Sequence, residues 1–292
     1  MYLDFFNFHK EPFNNTPDPA FLFLSHQHEE AIEALMYGIN NRKGFIALIG
    51  DIGTGKTTIC RALLGRLGKE VDTSVIFNPM LSVQELLEAV NDDFGNKINS
   101  TQSVKAHIDA LNDFLLKRLK QKKNAVIVID EAQHLSVEAF EMLRMLSNLE
   151  TEQEKLLQIV FIGQKELEAK LRLSQLRQLN QRIAIRNFLC SLKLVETVNY
   201  ILHRLTIASS GGNSVHFDGK ALRAVYEYTK GVPREINKLC DRSLLAAYVS
   251  REYVVTRDMV DEAISEIEGR SGFSGAGIFT GTVKRIFSWL NS

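Results

Sequence analysis

Apolar residues recur along this chain with two periods, and the switch between them marks its elements. In residues 27–41, Ala31, Leu35 and Ile39 fall one helical turn apart, the spacing of a helix with one buried face. Phe45 to Ile49 is instead an unbroken apolar run closed by a glycine turn, which reads as a strand buried on both faces. A helix follows from Lys56 to about Leu67, then a strand over Ser74 to Phe77 and helices over 82–93 and 103–121. Ala125 to Ile129 forms a second β-branched run that stops at Asp130. It is followed by a helix from about Ser136 to Leu149, an apolar strand from Leu157 to Ile162 and a last strand over 183–189. Such alternation predicts an α/β fold: a five-stranded parallel sheet with helices on both faces. From Val195 the pattern is helical only, over about 195–209, 218–229, 233–250 and 257–268, and predicts a small all-helical lid domain.

These elements divide the chain into an N-terminal segment and helix (1–41), an α/β core (42–190) and a helical lid (191–268). A Gly/Ser-rich linker (269–278) and an amphipathic tail helix (279–292) complete it. At 292 residues the chain is long enough to bury a sizeable core. Its 35 basic residues balance 35 acidic ones, which argues against nucleic acid as the main binding partner. Cys60, Cys190 and Cys240 fit no metal-ligand spacing and read as thiols of a reducing compartment. The start lacks a signal-peptide pattern and no window of about 18 apolar residues exists. Together these lead to the expectation of a soluble, cytoplasmic body.

The strand-turn-helix at 45–67 encloses Gly50-Asp51-Ile52-Gly53-Thr54-Gly55-Lys56-Thr57, followed by Thr58. This is the P-loop pattern in the context its chemistry needs. Glycines let the backbone curl so that N–H groups point at phosphate oxygens, and the helix N-terminus adds partial positive charge. Lys56 is expected on the β- and γ-phosphates of ATP, and the Thr57 hydroxyl on Mg²⁺. Asp130-Glu131 closes a buried strand as a Walker B pair, with Asp130 expected at the Mg²⁺ and Glu131 on the attacking water. The run Asp130 to His134 also resembles the DExH box of helicases, but this length has no room for a second motor domain, so a structural role fits His134 better. Gln164 ends the next strand at the position of a "sensor 1" residue. Arg177 and Arg182 precede the last strand, and either can serve as an arginine finger reaching a neighbouring subunit. Arg234 follows Pro233 at the start of a helix, the place of a "sensor 2" residue. The basic run Lys117 to Lys123 reads as a helix C-terminal charge cluster, with a DNA contact as the sharper reading.

With these parts the chain resembles the AAA+ ATPases, and more narrowly the general secretion pathway protein A (ExeA) family and its MshM-type pilus-assembly relatives. Pro12-Phe13, Thr16-Pro17-Asp18-Pro19 with Phe21-Leu22-Phe23, His28-Glu29-Glu30-Ala31 and Gly50 to Thr58 carry the match in the first half. Val128 to Gln133 and Leu176 to Ile183 continue it, as do Glu196-Thr197 with Tyr200-Ile201 and His203-Arg204-Leu205. Gly231-Val232-Pro233-Arg234 with Ile236-Asn237 and Leu239-Cys240-Asp241 completes it, so that it spans residues 1 to about 268. The resemblance implies an ATPase that forms a homo-oligomeric ring or partial ring at the inner membrane. Its work there is helping secretion or type IV pilus machinery assemble. It also implies that residues near Thr16-Pro17 and His28 line the adenine pocket, against the plainer reading of His28 as a helix-face histidine. The ExeA type continues into a membrane span and a peptidoglycan-binding domain, which this sequence does not include. Direct peptidoglycan binding is therefore not expected.

Along the tail helix, Phe279, Val283, Ile286, Phe287 and Leu290 share a face. Peripheral membrane contact and docking onto a partner helix compete for that face, with packing on the body as a third use. A DNA-associated ATPase of the TniB transposition-helper type stands as the alternative function, and a nucleotide-gated binding module with little turnover as a third.

Overall fold

The computed structural model describes residues 2–16, 18–98, 103–152, 154–209 and 215–269. The linker after Gly269 and the tail helix over 279–292 lie outside them. The chain divides into two compact units: Leu24–Cys190, and a discontinuous unit made of residues up to Phe23 together with those from Ser191. The N-terminal 41 residues are thus shared between the units rather than forming one segment.

In the first unit five parallel strands lie in the order β2-β3-β4-β1-β5. They are β1 (Phe45–Gly50), β2 (Val71–Ile76), β3 (Asn124–Ile129), β4 (Gln158–Gly163) and β5 (Ile183–Leu189). Every residue of β1, β3 and β4 is buried, as their unbroken apolar runs require. Alternate side chains go to opposite faces. Ile46, Leu48, Val126, Val128, Val160 and Ile162 meet one layer, which holds Ile32, Leu35 and Leu63. Phe45, Ile127, Ile129, Ile159 and Phe161 meet the other, with Leu87, Leu115 and Phe140. There Phe161 stacks on Phe45 (5.6 Å) and meets Phe140 edge-on (5.3 Å). At the strands' N-terminal ends, buried amides latch the sheet. Gln158 donates to Asn124 Oδ1 (3.1 Å) and accepts from Gly44 N–H (3.1 Å), and Asn124 donates to the Ile39 carbonyl (2.6 Å). The opposite, C-terminal ends are left to the loops.

The edge strand β2 begins three residues before the expected Ser74, because Val71, Asp72 and Thr73 extend its pairing with β3. Phe77 lies beyond it, 54% exposed. Short helices Lys165–Leu171 and Arg177–Arg182 occupy the stretch between β4 and β5, where the sequence pattern predicts none. In the basic run, Arg118 pairs with Asp72 (2.9 Å) and lies over the Phe114 ring, while Lys123 donates to the Lys69 carbonyl (3.2 Å).

The second unit is helical, with Leu194–Ala208, Gly219–Thr229, Pro233–Val249 and Arg257–Ile267. It also carries a parallel pair of two-residue strands, β6 (His216–Phe217) and β7 (Val254–Val255), too short to leave a periodic signal. Its core takes Phe6, Phe8, Phe13 and Phe21 from the N-terminal segment, which is why that segment belongs here. Buried Arg204 ties it down, donating to the carbonyls of Pro12 (2.5 Å) and Asn14 (2.9 Å) and to Tyr200 Oη (2.9 Å). Among the described residues no helix is long and apolar enough to cross a membrane.

Candidate functional site

The loop after β1 folds around one carbonyl. Asp51 O accepts from Lys56 Nζ (2.9 Å), Thr54 Oγ1 (2.8 Å) and Thr54 N–H (3.4 Å). Helix Lys56–Arg66 then begins from Gly55, whose φ of 99° is in the left-handed region that favours glycine. A second constraint also excludes a side chain at Gly55, since a Cβ there would lie 2.8 Å from His28 Nε2. That histidine is buried beneath the loop and hydrogen-bonds the Thr54 carbonyl (3.1 Å). Its Nδ1 faces Ser25, both the hydroxyl (2.6 Å) and the N–H (3.3 Å). A backbone N–H can only donate, so Nδ1 accepts and Nε2 carries the proton given to Thr54. His28 therefore supports the loop from below through its backbone.

Lys56 is only 5% exposed. Burial lowers its ammonium pKa, against the opposing pull of Glu131, Asp130 and Asp51. Asp130 is equally enclosed. Its carboxyl is raised, chiefly by burial with Glu131 adding, while hydrogen bonds from Thr57 Oγ1 and from Glu131 N–H (2.9 Å each) and the charge of Lys56 oppose the shift. The Thr57 hydroxyl and Asp130 Oδ2 thus already lie side by side, two hard oxygen ligands of the kind Mg²⁺ takes while keeping most of its waters. The donor set fits that ion.

Glu131 is held in a left-handed conformation (φ 51°, ψ 37°), costly for a residue with a Cβ and a sign that its position matters more than its comfort. Its Oε2 accepts from Gln133 Nε2 (2.5 Å) and Gln164 Nε2 (3.0 Å). Burial raises its pKa, but these two amides, with Lys56 and His134 nearby, outweigh it and hold the carboxyl below the usual glutamate range. The sheet order puts β4 between β1 and β3, so Gln164 stands between the P-loop and the Asp130-Glu131 pair, as its sequence position implies.

The structure brings Gly50 through Thr58, Asp130, Glu131 and Gln164 together at the C-terminal ends of β1, β3 and β4, where open parallel sheets bind ligands. It does not bring Arg177 and Arg182 there. Arg177 and Arg182 are exposed on their own short helix, and Arg182 donates to Asn148 Oδ1 (2.5 Å) and Ser147 Oγ (3.4 Å). Arg234 belongs to the second unit, exposed in the first turn of Pro233–Val249. His134 is exposed in the 3-10 turn after Glu131. Sequence reasoning gave no role to Gln133. Its signals were its place two residues after Glu131 and in the matching stretch Val128 to Gln133, and nothing in the pattern shows the left-handed bend that turns it back.

A family profile described as an AAA domain matches residues 39–171. Over 269 residues, 92% of the chain, the sequence is 40% identical to general secretion pathway protein A of Aeromonas hydrophila. The chain spans about half (49%) of that protein's length. Among solved structures, the Aeropyrum pernix ORC2 protein superposes with a TM-score of 0.64 at 16% identity, covering 91% of this chain and 73% of that one. The Thermotoga maritima RuvB Holliday junction branch migration motor follows at 0.54 and 18%, covering 84% and 70%. At such identities the likeness is one of fold: a P-loop, AAA-type sheet flanked by helices.

Proposed function

We propose that this chain, an AAA-type P-loop protein related to general secretion pathway protein A, is an ATPase serving a bacterial secretion or type IV pilus system. The observation that carries the reading is the convergence of one ammonium and two carboxylates, Lys56, Asp130 and Glu131, at the ends of β1 and β3: burial lowers the ammonium and raises Asp130, while the amides of Gln133 and Gln164 with the charge of Lys56 hold Glu131 low against its burial. Backbone N–H groups from Asp51, Ile52, Gly53, Thr54, Gly55, Thr57 and Thr58 cradle the phosphates of ATP, and Lys56 neutralises the β- and γ-oxygens. Thr57 and Asp130 hold Mg²⁺, which supplies positive charge against the phosphate oxygens when bound. Glu131, ionised and oriented, accepts a hydrogen bond from the attacking water and directs its oxygen at the γ-phosphorus. Gln164 adds a donor beside it.

The exposed positions of Arg177 and Arg182 suit a contact in trans. In this reading one of them completes the site of a neighbouring protomer, so turnover needs a homo-oligomer, and Arg234 reports the nucleotide state from the helical unit. The protomers gather peripherally at the cytoplasmic face of the inner membrane and act on assembly proteins of the machine.

Glu131→Gln tests this. It keeps the size and donates where the carboxylate accepts, so ATP hydrolysis should fall by about 10²–10⁴-fold with ATP affinity retained. The variant should also collect as an ATP-bound oligomer on size-exclusion chromatography, on which envelope-assembly proteins are captured. A wild-type chain with no turnover at any protein concentration overturns the ATPase reading. Turnover stimulated by DNA, with salt-sensitive DNA binding, transfers the chain to a DNA-associated role instead.

A further inference from the structure

The carboxylate of Glu131 could rotate freely about its last torsion unless something fixed it, and a water held for in-line attack tolerates little error. Both amides that reach it fall on one oxygen, Oε2. Gln164 cannot set the orientation alone, because among the described residues its side chain has no hydrogen bond besides the one to Glu131. Gln133 is anchored twice. Its amide oxygen accepts the backbone N–H of Gln164 (3.1 Å) while its Nε2 donates to Glu131 (2.5 Å), so both ends of one planar group are fixed. Its backbone is held as well, since Lys170 Nζ donates to the carbonyls of Gln133 (3.0 Å) and Leu135. Room for the amide comes from Gly163, the last residue of β4, where a Cβ would stand 2.8 Å from Gln133 Oε1. β3 and β4 are neighbours in the sheet, so the bridge runs from the end of one strand to the end of the next.

We propose that Gln133 is a positioning residue that aims Glu131: by bridging the Gln164 N–H and Glu131 Oε2 it fixes the plane of the carboxylate and leaves Oε1 for the attacking water. The inference rests on the ATPase reading above and adds to it a residue that never touches the nucleotide. It also accounts for the left-handed backbone at Glu131. That bend sends the chain into the 3-10 turn Ala132–His134, from which Gln133 reaches back to the residue two before it.

The test is a double-mutant cycle on the full chain, read by single-turnover ATP hydrolysis and by ATP affinity. Gln133→Leu keeps the bulk and removes both hydrogen bonds. It should lower the hydrolysis rate about 10- to 100-fold while KM stays within about twofold, since a misaimed base costs rate and not binding. In a Glu131→Gln background the same change should cost almost nothing further, because a residue acting through Glu131 has nothing left to aim. Gln133→Asn, a methylene too short to span both contacts, serves the same cycle should Gln133→Leu not fold. A rate like wild type in both variants overturns the proposal, and so does a loss of equal size on top of Glu131→Gln. A wild-type chain without turnover takes down the ATPase reading and this one together, whereas an active wild type with an unaffected Gln133→Leu overturns this one alone.

Discussion

Each unit buries a cation, and the two are treated in opposite ways. Arg204 of the helical unit is 7% exposed and hydrogen-bonded through each of its three nitrogens: two carbonyls and a tyrosine hydroxyl accept from them, and its Cζ lies 4.7 Å from the centre of the Phe21 ring. Lys56 of the α/β unit is 5% exposed, yet among the described residues its three donors have one hydrogen bond, to the Asp51 carbonyl. The carboxylates that attract it, Glu131 and Asp130, act through space and do not offset its loss of water, so its pKa falls. A buried charge costs several kcal/mol unless it is paired and hydrogen-bonded. A fold that satisfies one cation and leaves the other wanting treats them differently: Arg204 holds structure, and in the proposed function Lys56 is kept for a ligand rich in negative oxygens.

The sharpest way to break this contrast is to remove each cation in turn. Lys56→Ala should weaken ATP binding on the order of 10²–10³-fold, the loss of two or more charge-assisted hydrogen bonds, and leave the Tm of the nucleotide-free chain unchanged or higher. Equilibrium binding of a fluorescent ATP analogue and differential scanning calorimetry measure the two quantities. A fall in Tm would mean that Lys56 is structural after all. Arg204→Met should do the reverse in its own unit. It strands the carbonyls of Pro12 and Asn14 and removes the donor to the Tyr200 hydroxyl, which keeps its bond to Asn237 (2.8 Å), at a cost of about 3 kcal/mol in denaturant unfolding. Arg204→Lys should recover little of it, because an ammonium cannot reach three diverging partners from one plane.

The two regions were also unequally legible in the sequence. The candidate site could be read because its residues are tied to elements with strong periodic signals: Gly50 to Thr58 joins a buried strand to a helix, and Asp130 ends another. Even the place of Gln164 followed, since strand order in such sheets is constrained by topology. What escaped were contacts set by bends and by distance along the chain. Gln133 depends on a left-handed residue with no sequence mark, and the Arg204 cluster joins residues 190 or more apart. The aromatic N-terminus looked like a companion of the helix that follows it, yet Phe6, Phe8 and Phe13 pack with residues after 191, because pattern shows that a side chain is buried and not against what. The arginines remain the least constrained, as their work in the proposed mechanism needs a second protomer.

A smaller effect sharpens the comparison from the acid side. Asp130 is 3% exposed and its carboxyl is raised, with burial outweighing the two hydrogen bonds it accepts. An acid whose folded pKa lies above its unfolded value binds more protons folded than unfolded between the two. Stability is therefore lost as pH climbs from the ordinary carboxylate range through the raised value, and it stays lost at neutral pH. Asp130→Asn keeps the shape and cannot titrate. Its nucleotide-free Tm should exceed that of the wild type by roughly 2–4 °C at pH 7, with the difference shrinking toward pH 4 as the wild-type carboxyl takes its proton. Calorimetric scans across that range, without nucleotide or magnesium, measure it. A variant less stable than wild type at pH 7 would show that the hydrogen bonds from Thr57 and the Glu131 N–H more than repay the burial of Asp130. That carboxylate would then belong with Arg204 among the satisfied charges, and only Lys56 would remain on the other side of the contrast.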